Sequence, residues 1–267
     1  MQGTFLFLGT GGSAGVPLIG CQCEVCTSSS FYNKRTRSAG LIKVQDKQFL
    51  IDVGPDFRAQ ALRFDVKHLT GVLLTHAHAD HIAGIDDLRA YYFLEKKKLP
   101  CILSQETFDE VKRRYHYMLT PMAADKSTSA QLDFQVLPHD FGTCQLGGVS
   151  FSYFTYHQLE MKVTGFRLGN IAYVSDIRTF TDKVVEALQG VDILILSALR
   201  HSPTKMHFSI DEAIAFSRRT LAKQTYLTHI AHDLEHASMN ALLPPDVRLS
   251  YDGLQLEIEI PDMKELQ

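Results

Sequence analysis

The sequence Leu74-Thr75-His76-Ala77-His78-Ala79-Asp80-His81 places three histidines and one aspartate within six residues. The apolar residues before it predict a buried strand that ends just ahead of the first histidine. Imidazole and carboxylate groups are ligands that divalent first-row metals accept. Because His76 and His78 alternate with Ala77, both can point the same way as the strand ends. Asp80 and His81 begin the turn into a helix and can reach a second metal, so the stretch predicts a centre for two ions.

On both sides of this motif, the sequence predicts sheet followed by helix. The chain opens with a strand; further strands near 38–44, 48–53 and 71–75 are expected with helices near 56–64, 82–94 and 105–118. The second half predicts strands near 133–137, 149–155, 163–168, 170–175, 191–196 and 224–228, and helices near 180–188, 209–220 and 234–242. Ser209 and Glu212 form a capping-box pattern. We therefore expect an α/β fold of two packed sheets with helices outside.

Composition sets limits on the class of protein. The 267 residues are 45% hydrophobic and 21% charged, as in a soluble globular protein with a substantial core. The formal charge of −3 and the pI of about 6.4 provide no overall basic field for nucleic acid. No apolar run approaches the roughly 20 residues that span a bilayer. The first residues lack the features of a signal peptide, so we expect a cytoplasmic protein without a membrane partner.

Three of the five cysteines crowd into Cys21-Gln22-Cys23-Glu24-Val25-Cys26. In a reducing compartment, such a cluster indicates metal binding rather than disulfide bonding. Three soft ligands need a fourth to complete a tetrahedral zinc site. Cys101 and Cys144 stand alone and are expected to be small buried thiols.

The motif resembles the signature His-x-His-x-Asp-His of the metallo-β-lactamase superfamily, and the resemblance covers nearly the whole chain. It implies an αββα sandwich, here as a single domain over residues 1–267. It also implies further functional positions: Asp52 as a carboxylate that orients the histidine loop, His157 and His229 as ligands, and Asp176 as a bridging ligand. By this transfer the first metal takes His76, His78 and His157, and the second takes Asp80, His81 and His229. The resemblance implies two catalytic ions, zinc or manganese, with Asp80 also counted as catalytic.

The residues Gly9-Thr10-Gly11-Gly12-Ser13-Ala14-Gly15-Val16-Pro17, which precede the cysteines, narrow the resemblance. They are similar to the phosphodiesterase subfamily associated with carbon–phosphorus lyase. In that subfamily the three cysteines and a late histidine hold a structural zinc, which implies His232 as the fourth ligand beside Cys21, Cys23 and Cys26. A dinucleotide site is rejected because no helix follows the glycines. We expect the glycine loop to pass close beside the metal centre.

The segment His207-Phe208-Ser209 resembles a histidine motif of phosphodiesterases and of transfer-RNA 3′-processing endonucleases in this superfamily. The resemblance implies that His207 contacts the scissile phosphate and protonates the leaving oxygen. A histidine beside a helix N-terminus is also well placed to help hold an anion. The role of His201 in the same segment stays open.

We therefore expect hydrolysis of a small or cyclic phosphodiester, with the metals generating a bridging hydroxide. An RNA 3′-processing activity stays open because Lys96–Lys98 and Lys112–Arg114 are basic, although no long Gly/Pro/Lys-rich arm is visible. A cofactor-biosynthesis role of the pyrroloquinoline quinone type is a further alternative; a complete ligand set argues against it. The motifs point away from thioester or lactam hydrolysis. A homodimer stays open, the substrate is not read from the sequence, and residues 91–130 are expected to cover the pocket.

Overall fold

The computed structural model describes residues 2–119 and 129–260, and within them two seven-stranded sheets pack face to face. The first sheet has the order β14-β1-β2-β3-β4-β5-β6. Its strands are β1 Gln2–Gly9, β2 Ala39–Val44, β3 Lys47–Ile51, β4 Gly71–Leu73, β5 Leu99–Leu103, β6 Leu132–Val136 and β14 Gln255–Glu259. The second sheet has the order β13-β12-β11-β10-β9-β8-β7. Its strands are β7 Phe141–Leu146, β8 Val149–Gln158, β9 Met161–Leu168, β10 Ile171–Val174, β11 Ile193–Ser197, β12 Gln224–Thr228 and β13 Val247–Leu249.

Both sheets are mixed in the same way, with an antiparallel part and a parallel part. In the first sheet β14, β1, β2 and β3 pair antiparallel, whereas β3 to β6 pair parallel. In the second sheet β7 to β10 pair antiparallel, whereas β10 to β13 pair parallel. The carboxyl ends of parallel strands meet at one edge of a sheet, so loops that follow β3, β4, β10, β11 and β12 can converge.

The longer helices cover the outer faces of the two sheets, and the shortest ones lie in the loops. The helices are α1 Glu24–Thr27, α2 Phe57–Arg63, α3 Ala79–Ile82, α4 Arg89–Glu95, α5 Gln105–Arg114, α6 His116–Leu119, α7 Asp182–Ala187, α8 Ile210–Thr220 and α9 His236–Leu242. Aromatic residues from both sheets, including Phe5, Phe49, Phe151 and Tyr173, form a central core between them. Separate apolar clusters lie under the helices on either side. The four layers form the expected αββα sandwich.

The structure corrects the predicted helix over 82–94. The chain instead forms α3, a 3-10 turn at Ile85–Leu88, and α4. The interruption includes Gly84, whose N–H donates to the Val53 carbonyl oxygen at 2.8 Å. A Cβ on Gly84 would lie 2.1 Å from the Gly54 carbonyl oxygen, so only glycine permits this approach. The contact draws the helical segment against the loop after β3.

Other differences concern individual elements. The predicted helix over 105–118 is divided into α5 and α6 at Tyr115, and strands β5 and β7 were not predicted. Ser209 and Glu212 form the predicted capping box of α8. Within residues 2–119 and 129–260, no helix combines the length and the apolar character needed to cross a membrane.

Candidate metal centre

The predicted ligands meet where the parallel strands of both sheets end. Asp52 follows β3, the histidine motif follows β4, Asp176 follows β10 and His229 follows β12. Three of these residues have left-handed backbone, with φ of 63° at Asp52, 50° at Asp176 and 58° at His229. Such conformations cost of order 1–3 kcal/mol for non-glycine residues and cluster at functional sites. The surrounding fold therefore holds these three turns in place against local preference.

Asp80, His81 and His229 form a group of close donor atoms in the second predicted site, and Asp176 lies beside the two histidines. Asp80 Oδ2 lies 3.3 Å from His229 Nε2 and 3.4 Å from His81 Nε2. Asp176 Oδ1 lies 3.2 Å from His229 Nε2 and 3.5 Å from His81 Nε2. Donor atoms around a tetrahedral ion with bonds of about 2.0–2.2 Å are themselves roughly 3.4 Å apart. The buried His81 Nε2 has no hydrogen-bond partner, so these residues fit a divalent ion.

The charges of the cluster also fit a cation. The ion pairs that the described structure gives to Asp80 and Asp176 are all with histidines, and Asp176 is buried. Burial acts against the charged form of His81, but the carboxylates of Asp176 and Asp52 raise its pKa well above the usual value. Burial also acts against the charged form of Asp176 and so raises its pKa. The nearby rings of His229 and His81 outweigh this effect and hold the pKa of Asp176 well below its usual range. Buried carboxylates in this state need positive charge, which divalent ions supply.

The first predicted site is assembled around the other oxygen of Asp176. His76 Nε2 lies 3.0 Å from His78 Nδ1 and 3.5 Å from Asp176 Oδ2. These three residues form one group of close donor atoms, as do Asp80, His81 and His229. Oδ1 of Asp176 faces the second group and Oδ2 faces the first, so its carboxylate lies between the two groups.

His157 does not join the first group. It lies near the end of β8, where partly exposed Thr155 and His157 alternate with buried Tyr156 and Gln158. Side chains that alternate along a strand point to opposite faces of the sheet. The side chain on the metal-centre face is therefore that of Gln158, whose Nε2 lies 3.0 Å from Asp176 Oδ2. The sequence-based assignment of His157 as a ligand is wrong in this structure because it is one residue out of register.

Asp52 and Thr75 fix the histidine loop through buried hydrogen bonds. The fully buried Asp52 accepts hydrogen bonds from the Thr75 N–H at 2.8 Å and the Thr75 hydroxyl at 2.9 Å. Its Oδ2 also lies 2.7 Å from His81 Nδ1, which turns Nε2 of that ring toward the donor cluster. Thr75 Oγ1 lies 2.9 Å from His76 Nδ1, so one hydroxyl touches both the carboxylate and a ligand ring. Asp52 was predicted from the family resemblance, whereas Thr75 was not predicted although Thr75 directly precedes the first histidine.

His207 lies over the donor cluster, at the floor of a cavity. Its ring stacks on that of His229, with centroids 4.8 Å apart, and its Nδ1 lies 3.8 Å from Asp176 Oδ2. Thr204 holds the turn: its Oγ1 accepts from the His207 N–H at 2.8 Å and donates to the His207 carbonyl oxygen at 2.9 Å. Burial lowers the pKa of His207 to about 4. The imidazole is therefore neutral near pH 7 in the absence of other ions.

The cavity above the cluster has a volume of about 740 Å³. Its lining comes from the glycine loop, the histidine motif, the segment after β11 and the loops after β10 and β12: Ser13, His78, Ala79, Asp80, Asp176, Leu199, Arg200, Pro203, Thr204, Lys205, Met206, His207 and His229. The described part of residues 91–130 contributes nothing to this lining, contrary to expectation, and residues 120–128 lie outside the described chain. His201 is exposed and outside the lining, so its role stays open.

The cysteine loop and His232 form a separate group of four possible ligands. Nδ1 of His232 lies 3.6 Å from Cys21 Sγ and 3.4 Å from Cys23 Sγ. Tetrahedral zinc with bonds of about 2.3 Å to sulfur and 2.0–2.1 Å to nitrogen separates such atoms by roughly 3.5 Å. The hydrogen bond from His232 lowers the pKa of Cys23 to about 6, which favours the thiolate that a metal needs. These residues fit a structural zinc ion; Cys101 and Cys144 are buried and lie elsewhere.

The glycine loop passes beside the metal centre, as expected. The Gly12 N–H donates to the Ile230 carbonyl oxygen at 3.0 Å. A Cβ on Gly12 would lie 3.4 Å from His229 Nδ1 and 3.0 Å from a side-chain carbon of Leu199. The absence of a side chain thus lets this loop pack against the ligand ring.

A buried polar network behind the glycine loop was not predicted. The Arg35 guanidinium donates to Thr10 Oγ1 at 2.8 Å and to the Ser250 carbonyl oxygen at 2.6 Å. The hydroxyls of Thr10 and Thr36 donate to Asp252 at 2.7 and 2.8 Å. Burial lowers the pKa of Arg35 to about 10, so it remains charged near neutral pH. The network ties the loop after β1 to the turn before β14.

Comparisons with known proteins identify the family of this chain. A family model described as a β-lactamase superfamily domain matches residues 47–230. A solved diphosphatase from the PhnP family is 36% identical, with a TM-score of 0.90 over 97% of this chain and 98% of that chain. Zinc-bound PqqB from Methylobacterium extorquens is 18% identical to this chain and is similar to it in fold only. The TM-score is 0.73 over 96% of this chain and 100% of that chain.

An octanoyltransferase of Porphyromonas gingivalis (strain ATCC BAA-308 / W83) is 30% identical over 264 residues. The match covers 95% of this chain but 51% of the relative, so the chain spans about half the length of that protein. The matched family model and the diphosphatase neighbour support a metal-dependent hydrolase. With its αββα sandwich and its histidine motif at the junction of the two sheets, the chain belongs to the metallo-β-lactamase superfamily.

Proposed function

We propose that this protein hydrolyses small phosphodiesters, including cyclic ones. The observation that carries the proposal is the position of His207 above the donor cluster, inside a cavity that also contains Arg200 and Lys205. An imidazole and two cationic side chains around a metal centre suit a phosphate group better than an uncharged lactam or thioester. We propose zinc or manganese as the catalytic metal and a structural zinc ion at the cysteine loop.

The residues around the cavity have separate roles in the hydrolysis of a phosphodiester. When bound, divalent ions activate water and stabilise negative charge on the reacting oxygens. The His207 imidazole, neutral in the free protein, donates a hydrogen bond to the phosphate. The negative charge of the phosphate raises the pKa of this ring, so that the ring takes up a proton from solvent and then gives it to the departing oxygen. Asp80, kept ionised by His229 and His81 although burial opposes this, accepts a hydrogen bond from the attacking water.

Two features of the cavity indicate the charge and the size of the substrate: the cationic side chains of Arg200 and Lys205, and the cavity volume. Both side chains are exposed at the cavity, and Arg200 Nε lies 3.8 Å from Asp233 Oδ2. A cavity of about 740 Å³ is within the range of small-molecule sites. We therefore propose a small-molecule partner rather than RNA, in a reducing compartment such as the cytoplasm. Diphosphate linkages are a second candidate, because the two cations could hold an additional phosphate and because the PhnP-family neighbour is a diphosphatase.

A substrate panel tests this proposal. Purified protein loaded with zinc or manganese would be assayed on a cyclic nucleotide, bis(p-nitrophenyl) phosphate, a dinucleoside diphosphate, a short single-stranded RNA, a thioester and a lactam. Preferential turnover of the small phosphodiesters is expected, and His207→Ala should reduce it. A preference for the diphosphate would favour the second candidate. Faster turnover of the thioester, the lactam or the RNA would refute the proposed substrate class.

A further inference from the structure

The first metal group has two neutral ligands, His76 and His78, and Gln158 lies beside it in the place of a third. Gln158 is the last residue of β8 and is only 2% exposed. Its Nε2 lies 3.0 Å from Asp176 Oδ2, the oxygen that faces His76. The same atom lies 3.1 Å from His207 Nε2. The terminal amide is thus enclosed by the first metal group on one side and by the cavity histidine on the other.

The register of β8 keeps histidine away from this position. Gln158 pairs with Met161 of β9, and His157 pairs with Lys162. On the same face as Gln158, the buried Tyr156 hydroxyl donates to the Ser175 carbonyl oxygen at 2.6 Å, next to Asp176. Bringing His157 into the centre would require a one-residue slip, which would turn every side chain of the strand to the other face. The first group must therefore be completed by Gln158 or by none of the β8 side chains.

The amide of Gln158 has an oxygen without a partner. Its Oε1 is buried and makes no hydrogen bond, whereas its Nε2 faces the Asp176 carboxylate. Oxygen and nitrogen of a glutamine amide exchange places by rotation about the terminal bond. Without a cation, the NH₂ group is the end that a carboxylate attracts. With a cation between His76, His78 and Asp176, the carbonyl oxygen becomes the favourable end, because its partial negative charge faces the ion.

We propose that Gln158 supplies its side-chain carbonyl oxygen as a ligand at the first metal position, beside His76, His78 and Asp176. The two positions then differ in chemistry, since the second is served by two imidazoles and two carboxylates. Zinc prefers nitrogen and sulfur ligands, whereas carbonyl oxygen suits harder ions such as manganese and magnesium. The first position therefore binds zinc less tightly than a site with three imidazoles and discriminates less against manganese. This ligand set does not depend on which substrate the protein hydrolyses.

Metal titrations of matched variants test this assignment. Metal-depleted wild type, Gln158→Ala, Gln158→His, His157→Ala and His207→Ala would be titrated with Mn²⁺ and with Zn²⁺ by calorimetry. Electron paramagnetic resonance would count bound manganese, and circular dichroism would confirm that each variant is folded. Manganese discriminates against the thiolate site because it prefers harder ligands. His157→Ala is the matched control, since it removes a side chain from the neighbouring position on the opposite face.

We expect Gln158→Ala to weaken one of two manganese-binding steps by about tenfold or more and to leave the other unchanged, in line with the sensitivity of metal sites to their surroundings. Gln158→His should strengthen the corresponding zinc step, and His157→Ala should match the wild type. Identical isotherms for Gln158→Ala and the wild type would overturn the proposal. It would also be overturned if His157→Ala or His207→Ala, rather than Gln158→Ala, abolished that step.

Discussion

Replacing Asp52 by asparagine would test whether this buried carboxylate controls the metal affinity of the centre. The change preserves the size of the side chain and one carbonyl oxygen, which can still accept from the Thr75 N–H. It places an NH₂ group against both the Thr75 hydroxyl and His81 Nδ1. Since both now contact Oδ2 of Asp52, the substitution turns a shared acceptor into a donor. We expect the His81 ring to lose the orientation that aims Nε2 at the cluster.

The magnitude follows from the two hydrogen bonds that Oδ2 of Asp52 makes with Thr75 and His81. Removing a partner that orients a metal ligand typically costs 10–100-fold in metal affinity, or about 1.4–2.8 kcal/mol. Leaving a buried donor unsatisfied costs about 1–3 kcal/mol. Asp52→Asn disturbs both hydrogen bonds at a position with no exposure to solvent, so we expect a reduction in metal affinity near the upper end of this range. The metal-depleted protein should also be less stable to urea by about 1–3 kcal/mol.

The assay is competition for zinc or manganese against a chelator of known affinity, together with urea unfolding of the metal-depleted protein. Asp65→Asn is the matched control, because Asp65 is exposed and pairs with Lys67 at 2.8 Å on the surface. The control should change neither quantity measurably. If Asp52→Asn bound metal as tightly as the wild type, the carboxylate would not orient His81 in the way its hydrogen bonds indicate.

Three further predictions concern other parts of the structure. His207→Ala should lower kcat by about 10²–10⁴-fold on a phosphodiester with a poor leaving group, with a smaller loss for a nitrophenolate leaving group; equal losses would instead assign the ring to phosphate binding. Cys23→Ser should reduce the zinc content and the melting temperature, since structural zinc contributes to folding directly; an unchanged zinc-to-protein ratio would contradict this. Arg35→Met should reduce the free energy of unfolding by about 3–5 kcal/mol, because the substitution leaves the buried Asp252 without the cation near it. Urea titration measures this change. A loss below about 1 kcal/mol would show that the network tolerates the removal of Arg35.

The histidine motif was informative because all of its ligands lie within one short segment. Asp176 and His229 were predicted through the family resemblance, and each follows an apolar strand. His157 was misassigned for a physical reason: a shift of one residue along a strand reverses the face of the side chain, and spacing alone does not fix that register. The structure resolves the choice through the pairing of β8 with β9.

Other features depend on contacts between distant parts of the chain. Arg35 meets Ser250, which is 215 residues away, and no local pattern signals such a contact. The break at Gly84 arises from its approach to Gly54, so a pattern of helical period could not reveal it. Strand β5 contains Pro100, which masked a short apolar run. Turn geometry at Asp52, Asp176 and His229 was likewise invisible in the sequence.

The junction of the two sheets has a consequence for folding stability. Asp52 and the histidine motif come from the first sheet, whereas Asp176 and His229 come from the second. An ion held between them acts as a cross-link between the halves of the chain, and neither half alone can assemble its ligands. Because the unfolded chain lacks this arrangement, mass action adds about 2.7 kcal/mol to stability when free metal reaches 100 times its dissociation constant. The melting temperature of this protein should therefore report metal loading even when no substrate is known.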